Sequence, residues 1–152
     1  MKKIFFILSI LFYSSNLAAE IINKIVIQGN ERISNETIKV YGDVKENDNV
    51  DEFKINQILK DLYSTNFFED VKVEIKGQTL IIRLNEHPTI NEIIITGEKA
   101  SKFKDAIKEN IKSKKNGPFI KSFIAEDEKK IKKLYLNFGF NFLKVDSKIE
   151  TF

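Results

Sequence analysis

Apolar and polar residues are arranged in two distinct periods along this chain. Val71, Val73 and Ile75 alternate with Lys72, Glu74 and Lys76, the pattern of a strand with one buried and one wet face. After Gly77-Gln78, a tight hairpin turn, Leu80, Ile81, Ile82 and Leu84 form a nearly continuous apolar run. The contrast predicts an edge strand followed by a central one, the charged residues of the first guarding its free side. Upstream, Ile55, Ile58, Leu59, Leu62 and Tyr63 recur at helical spacing on one face, with Asp51 and Glu52 at the positive end of that helix and Asn66 to stop it. A shorter helix is predicted from Ser34 as N-cap, with Glu36 in its first turn, Ile33 and Ile38 at staple positions and Gly42 as its end. Before it, Ile25–Gln28 is a β-branched run that stops at Gly29-Asn30, a strand and a turn. The unit reads strand, helix, helix, strand, strand.

The same order begins again. Asn23-Lys-Ile-Val-Ile-Gln-Gly29 is matched by Asn91-Glu-Ile-Ile-Ile-Thr-Gly97, an offset of 68. Leu62-Tyr63, Phe68, Val71 and Val73 are matched by Leu134-Tyr135, Phe140, Leu143 and Val145, an offset of 72. Two matches in one order, at the two ends of a unit, indicate a tandem repeat. The second unit is predicted to hold a strand at Ile93–Ile95 and a helix through Phe103, Ala106, Ile107 and Ile111, stopped at Asn116-Gly117-Pro118. A helix through Ile124, Ile131, Leu134, Tyr135 and Phe138 follows, ended by Gly139, and then an edge-like strand at Leu143–Ile149. The final apolar strand has no counterpart before Phe152. The fold class is therefore α+β: two β-α-α-β-β units, each a three-stranded sheet covered by two helices, the second lacking its last strand.

Composition narrows the function. Lys2 and Lys3, the apolar run Ile4–Tyr13 and the small residues Ala18-Ala19 have the order of a secretory signal peptide over 1–19. The apolar run is about half the 20 or so residues a transmembrane helix needs. Cleavage is expected between Ala19 and Glu20, with the step after Ala18 as the alternative because Leu17 is not the ideal small residue. The formal charge of +3 includes Lys2 and Lys3, so the remainder is nearly neutral and offers no electrostatic case for nucleic acid. There is no cysteine and a single histidine, His87, so neither a thiol nucleophile nor a cysteine or paired-histidine metal site is available. No catalytic constellation and no cofactor motif is present, and the reading is a non-enzymatic binding protein. Lys129, Lys130, Lys132 and Lys133, preceded by Glu126, Asp127 and Glu128, read as a solvated helix face whose charges suit the helix dipole.

Gly29-Asn30 after the first strand, Phe67-Phe68-Glu69-Asp70-Val71 before the second, and Tyr135 followed by Gly139-Phe140 at a helix end resemble the polypeptide-transport-associated (POTRA) domain. Asn85-Glu86-His87-Pro88-Thr89-Ile90 resembles the joint between the first two such domains of Omp85-family outer-membrane assembly factors, with His87 in place of the usual arginine. The resemblance spans about 21–150 and divides the chain into 21–87 and 88–152, joined through Glu86, His87, Pro88 and Thr89. It implies an exported, periplasmic arm, at the outer membrane when joined to a β-barrel that these residues do not include. It also implies unfolded outer-membrane proteins and accessory lipoproteins as partners, met by strand addition. The edge strand Val71, Lys72, Val73, Glu74 and Ile75 is the candidate client site. Two-partner secretion transporters and cell-division proteins also carry such domains, the latter with a retained anchor that the short leader argues against.

Mass spectrometry of the exported chain is expected to show Glu20 at its amino terminus. Retention of Met1 in the inner-membrane fraction would refute the signal peptide.

Overall fold

The computed structural model describes residues 20–151; the expected leader, Ala19 included, lies outside them. Two compact units are present. One runs to Thr65 and takes in Asp70–Asn85; the other takes in Asn66–Glu69 and continues from Glu86.

The first unit is built on a three-stranded sheet of β2 (Lys24–Gln28), β4 (Phe68–Lys76) and β5 (Thr79–Glu86), in the order β2-β5-β4. β5 is central, as its apolar run predicts, and β4 is an edge. β2 runs parallel to β5 in a register that sets Ile25 against Leu80 and Ile27 against Ile82. Parallel neighbours need a long crossover, and α1 (Asn35–Tyr41) and α2 (Glu52–Ser64), packed on one another, supply it. Gly77, at φ 56°, opens the β4–β5 hairpin. Leu80, Ile82 and Leu84 of β5 and Val71 of β4 are buried, as are Ile38 of α1 and Ile58 and Leu62 of α2. Each such side chain contributes about 1.5–3 kcal/mol through its removal from water. A small antiparallel pair, β1 (Glu20–Ile21) with β3 (Asn49–Val50), was not anticipated; it ties the start of the described chain to the stretch before α2 and buries Ile22 and Val50.

Caps fix both helices. Ser34 Oγ accepts from the Thr37 amide at 3.2 Å and Asp51 Oδ1 from the Lys54 amide at 2.7 Å, so Asp51 is a true N-cap and not only a favourable charge. Gly42 caps α1 with right-handed backbone (φ −78°), and the left-handed residue is the next one, Asp43. A Cβ at Gly42 would make a tight 3.3 Å approach to the Ile38 carbonyl oxygen and an ordinary 3.4 Å contact with the Ile58 side chain. Gly29 needs glycine for both conformation and space. Its φ is +85°, and a Cβ would sit 2.1 Å from the Leu84 carbonyl oxygen.

The second unit keeps its two helices, α3 (Ser101–Asn110) and α4 (Lys121–Asn137), packed on one another. Ile107, Ile111 and Tyr135 form its core, with Ile93, Ile95, Phe103, Ile131 and Leu134 against them. The expected strands Ile93–Ile95 and Leu143–Ile149 are not formed. The reason lies in the strand order of the first unit. There β2 and β4 do not touch; each is held by β5. Among the described residues the second unit holds no strand in the place of β5, so the two equivalent segments have no neighbour to bond to. α3 also ends earlier than its sequence suggests, at Asn110, with Ile111 already extended.

Amide hydrogen exchange is therefore expected to be slow across Leu80–Leu84 and fast across Ile93–Ile95 and Leu143–Ile149. Equal protection in the three segments would show that the second unit has another source of strand pairing.

Candidate functional site

The alternation of Val71, Val73 and Ile75 with charged residues holds in three dimensions only in part. Val71 is buried, Val73 and Ile75 are half-buried, and Lys72 and Lys76 are exposed. Glu74 is bound by Arg83 of β5 at 2.5 Å and by Lys76 at 3.1 Å. The Arg83 hydrogen bond first, and Lys76 after it, hold the Glu74 carboxyl below its usual pKa. These pairs are solvent-exposed and add little stability; they keep the wet face of the hairpin charged.

The backbone decides what the edge can bind. Successive N–H groups of a strand point alternately toward its two sides. The Val71 N–H does not face β5: it donates to the Tyr63 hydroxyl at 3.1 Å. Val71 is thus an outward residue, and alternation places the N–H groups of Val73 and Ile75 on the same outer side and those of Lys72 and Glu74 toward β5. No strand among the described residues lies on that outer side.

Tyr63 is one residue that sequence reasoning placed wrongly. Its spacing put it on the buried face of α2, yet 43% of it is exposed. Thr65 caps α2, left-handed Asn66 turns the chain, and the tyrosine ring reaches back to β4, with its hydroxyl 3.5 Å from Asp70 Oδ1.

The joint residues are anchored by a loop. Thr89 bridges to Pro118, the Phe119 amide donates to the Pro88 carbonyl at 2.7 Å, the Ile90 amide to Gly117 at 2.9 Å, and the Asn116 amide to Ile90 at 2.7 Å. Asn116-Gly117-Pro118, expected to stop a helix, instead forms the partner of this short extended segment. His87 donates its backbone N–H to the Phe67 carbonyl at 2.9 Å, and Glu86 ends β5.

Asp127 corrects a further expectation. It is not on a solvated face; it is buried, and its two carboxylate oxygens accept from the Lys112 and Ser113 amides at 2.6 and 2.9 Å. Those bonds fix the chain as it leaves α3. Burial raises the Asp127 pKa, but the Ser113 side chain and the two amides outweigh it and hold the carboxyl below its usual value. The Ser113 hydroxyl is buried and completes no hydrogen bond of normal geometry, so the amides carry the capture. Tyr135, the repeat counterpart of Tyr63, donates its hydroxyl to Glu98 Oε2. Burial first, and Glu98 second, push its pKa up to about 12; the same hydrogen bond holds Glu98 low.

No group of three or more metal-ligating side chains occurs among the described residues, and none of the described helices is long and apolar enough to cross a membrane.

Comparison with known proteins bears directly on this repeat. A family model for POTRA, described as a surface antigen variable number repeat, matches residues 20–87 and again 88–151. The chain belongs to the POTRA family. It is similar to the outer membrane protein assembly factor BamA of Neisseria meningitidis serogroup B, 38% identical over 97 residues, 64% of this chain and 12% of that protein. It is also similar to BamA of Buchnera aphidicola, 29% identical over 143 residues, 90% of this chain and 23% of that one. The chain thus spans less than a quarter of the length of either relative. The POTRA fold is shared with the N-terminal domain of Omp85 from Thermosynechococcus elongatus (TM-score 0.56, 13% identity, 80% of this chain and 53% of that one). It is shared too with POTRA1-2 of the periplasmic domain of Omp85 from Anabaena (TM-score 0.51, 10% identity, 87% and 88%).

Replacing Asp127 by Asn leaves one good acceptor for two amides, that of Ser113 buried and that of Lys112 part-buried. Faster exchange is expected at the Lys112 and Ser113 amides, equivalent to a loss of about 1–3 kcal/mol. Because the folded pKa lies below the unfolded one, the Asp127 contribution is complete above the ordinary carboxylate range, near pH 4, and disappears as pH falls through the lowered value. The Asn variant should show no such acid-dependent step at these two amides. An unchanged exchange profile would mean that Asp127 does not hold the loop.

Proposed function

We propose that this POTRA pair is the periplasmic arm of an outer-membrane protein assembly factor, delivered by the leader 1–19, with the boundary between its two domains at His87-Pro88. It takes unfolded outer-membrane protein strands onto the β4 edge, Val71, Lys72, Val73, Glu74 and Ile75, as an added strand, and it docks assembly-machinery lipoproteins. The observation that carries this reading is the outer side of β4, where Val73 and Ile75 present N–H groups away from β5 at the end of the sheet. Backbone pairing tolerates many client sequences, because the contacts come from groups that every residue has. The likeness to the BamA proteins, whose names state outer-membrane protein assembly, supports the client class. β2 is the other edge, but it offers five residues to the nine of β4. Catalysis is not part of this proposal.

Proline substitution separates binding from folding, since it removes one N–H and is tolerated in an edge strand only where that N–H faces outward. Val73→Pro is expected to stay folded and to weaken a labelled outer-membrane strand peptide about tenfold. Lys72→Pro and Glu74→Pro remove inward bonds to β5 and are expected to lower the melting temperature. A folded Val73→Pro protein that binds as well as the parent would move the client site off this edge.

A further inference from the structure

We infer that Tyr63 sets the register of the strand that β4 accepts, by plugging the outward N–H of Val71; this rests on the proposed use of the β4 edge. The tyrosine hydroxyl does two things at once. It accepts from the Val71 amide at 3.1 Å, and it lies 3.5 Å from the Asp70 carboxylate, toward which its own proton points. A hydroxyl has one donor and can accept as well, so both functions of this one are engaged. The Val71 N–H is thereby withheld from an incoming carbonyl. The first outward donor that remains is Val73, and the next is Ile75. An added strand can slide along an edge in steps of two residues, because every second residue offers the same pair of groups. A filled position at one end removes the registers that would use it. Asp70 strengthens the stop, since its carboxylate repels the carbonyl oxygen that would have to approach the same amide.

The position of the plug follows from local structure. Tyr63 lies in the last turn of α2, one residue before its end at Ser64; Thr65 closes the helix and Asn66, at φ 60°, reverses the chain into β4. The tyrosine is therefore carried by the same turn that starts the edge strand, and its reach is fixed to within one residue of the strand. Its counterpart in the second repeat, Tyr135, has its hydroxyl on Glu98. The plug is thus a property of the first repeat and not of the tyrosine position as such.

The test uses Tyr63→Phe, which keeps the ring and removes only the hydroxyl, and a short peptide of alternating valine and threonine as probe. Amide exchange and amide chemical shifts are followed in the chain without its leader. In the parent, peptide is expected to protect Val73 and Ile75 and leave Val71 as it was. In the free variant, Val71 exchange should accelerate while Val73 and Ile75 do not change. With peptide, Val71 of the variant should become protected too, and binding should tighten about threefold to tenfold, the worth of one added backbone hydrogen bond. A peptide that protects Val71 in the parent as fully as Val73 overturns the plug while leaving the edge site standing. So does a variant in which peptide still stops at Val73. A parent that shows no peptide protection anywhere along β4 overturns the edge site and the plug together.

Discussion

The last strand in sequence is the one on which the sheet depends. β2 and β4 lie on opposite sides of β5 and neither bonds to the other. β5 therefore satisfies the backbone of both neighbours, and Leu80, Ile82 and Leu84 place the sheet's share of the core beneath the helices. Any repeat of this order must wait for its final strand before either of the earlier two can pair. In the second unit the helices and the cluster of Ile107, Ile111 and Tyr135 are in place, because helical bonds are local and helix packing needs only the two helices. The segments Ile93–Ile95 and Leu143–Ile149 are apolar and extended in pattern, yet no ladder forms, because strand bonds are made with another strand or not at all.

The same constraint creates the candidate site. With β5 in the centre, β4 has one satisfied side and one open side, and a nine-residue edge of this kind is an invitation to pairing. The chain manages it in two ways. Lys72, Glu74 and Lys76 keep one face charged, and the Tyr63 hydroxyl occupies one of the outward amides. What is left is the outward backbone of Val73 and Ile75, the stretch on which the proposed strand addition relies.

The two repeats share a plan but not its polar details. Tyr63 and Tyr135 occupy equivalent positions, and one meets a strand amide while the other meets Glu98. Asp127 has no counterpart use in the first unit, where the chain after α1 is closed by left-handed Asp43 and by Asp48, whose carboxylate accepts from the Lys45 amide at 3.0 Å. Loop closure is thus solved separately each time, by whichever carboxylate the local sequence brings within reach of free amides.

Much of this architecture is determined by the residues alone. The alternation at Val71–Ile75 and the continuous run at Leu80–Leu84 are enough to mark edge and centre, and the spacing of Ile58 and Leu62 and the cap at Ser34 are enough for the helices, because these are local rules of period two, period 3.6 and N-cap chemistry. The repeat itself is visible in the offsets of 68 and 72. Tertiary structure decided the rest. It decided that Asp127 is buried, since burial depends on which amides lie opposite it and not on its own neighbours in sequence. It decided that Asn116-Gly117-Pro118 partners Pro88–Ile90, because residues nearly thirty positions apart meet only when the unit closes. And it decided which N–H groups of β4 face outward and that Tyr63 fills one of them, since the direction of a backbone amide is set by the strand beside it, which no run of side chains can state.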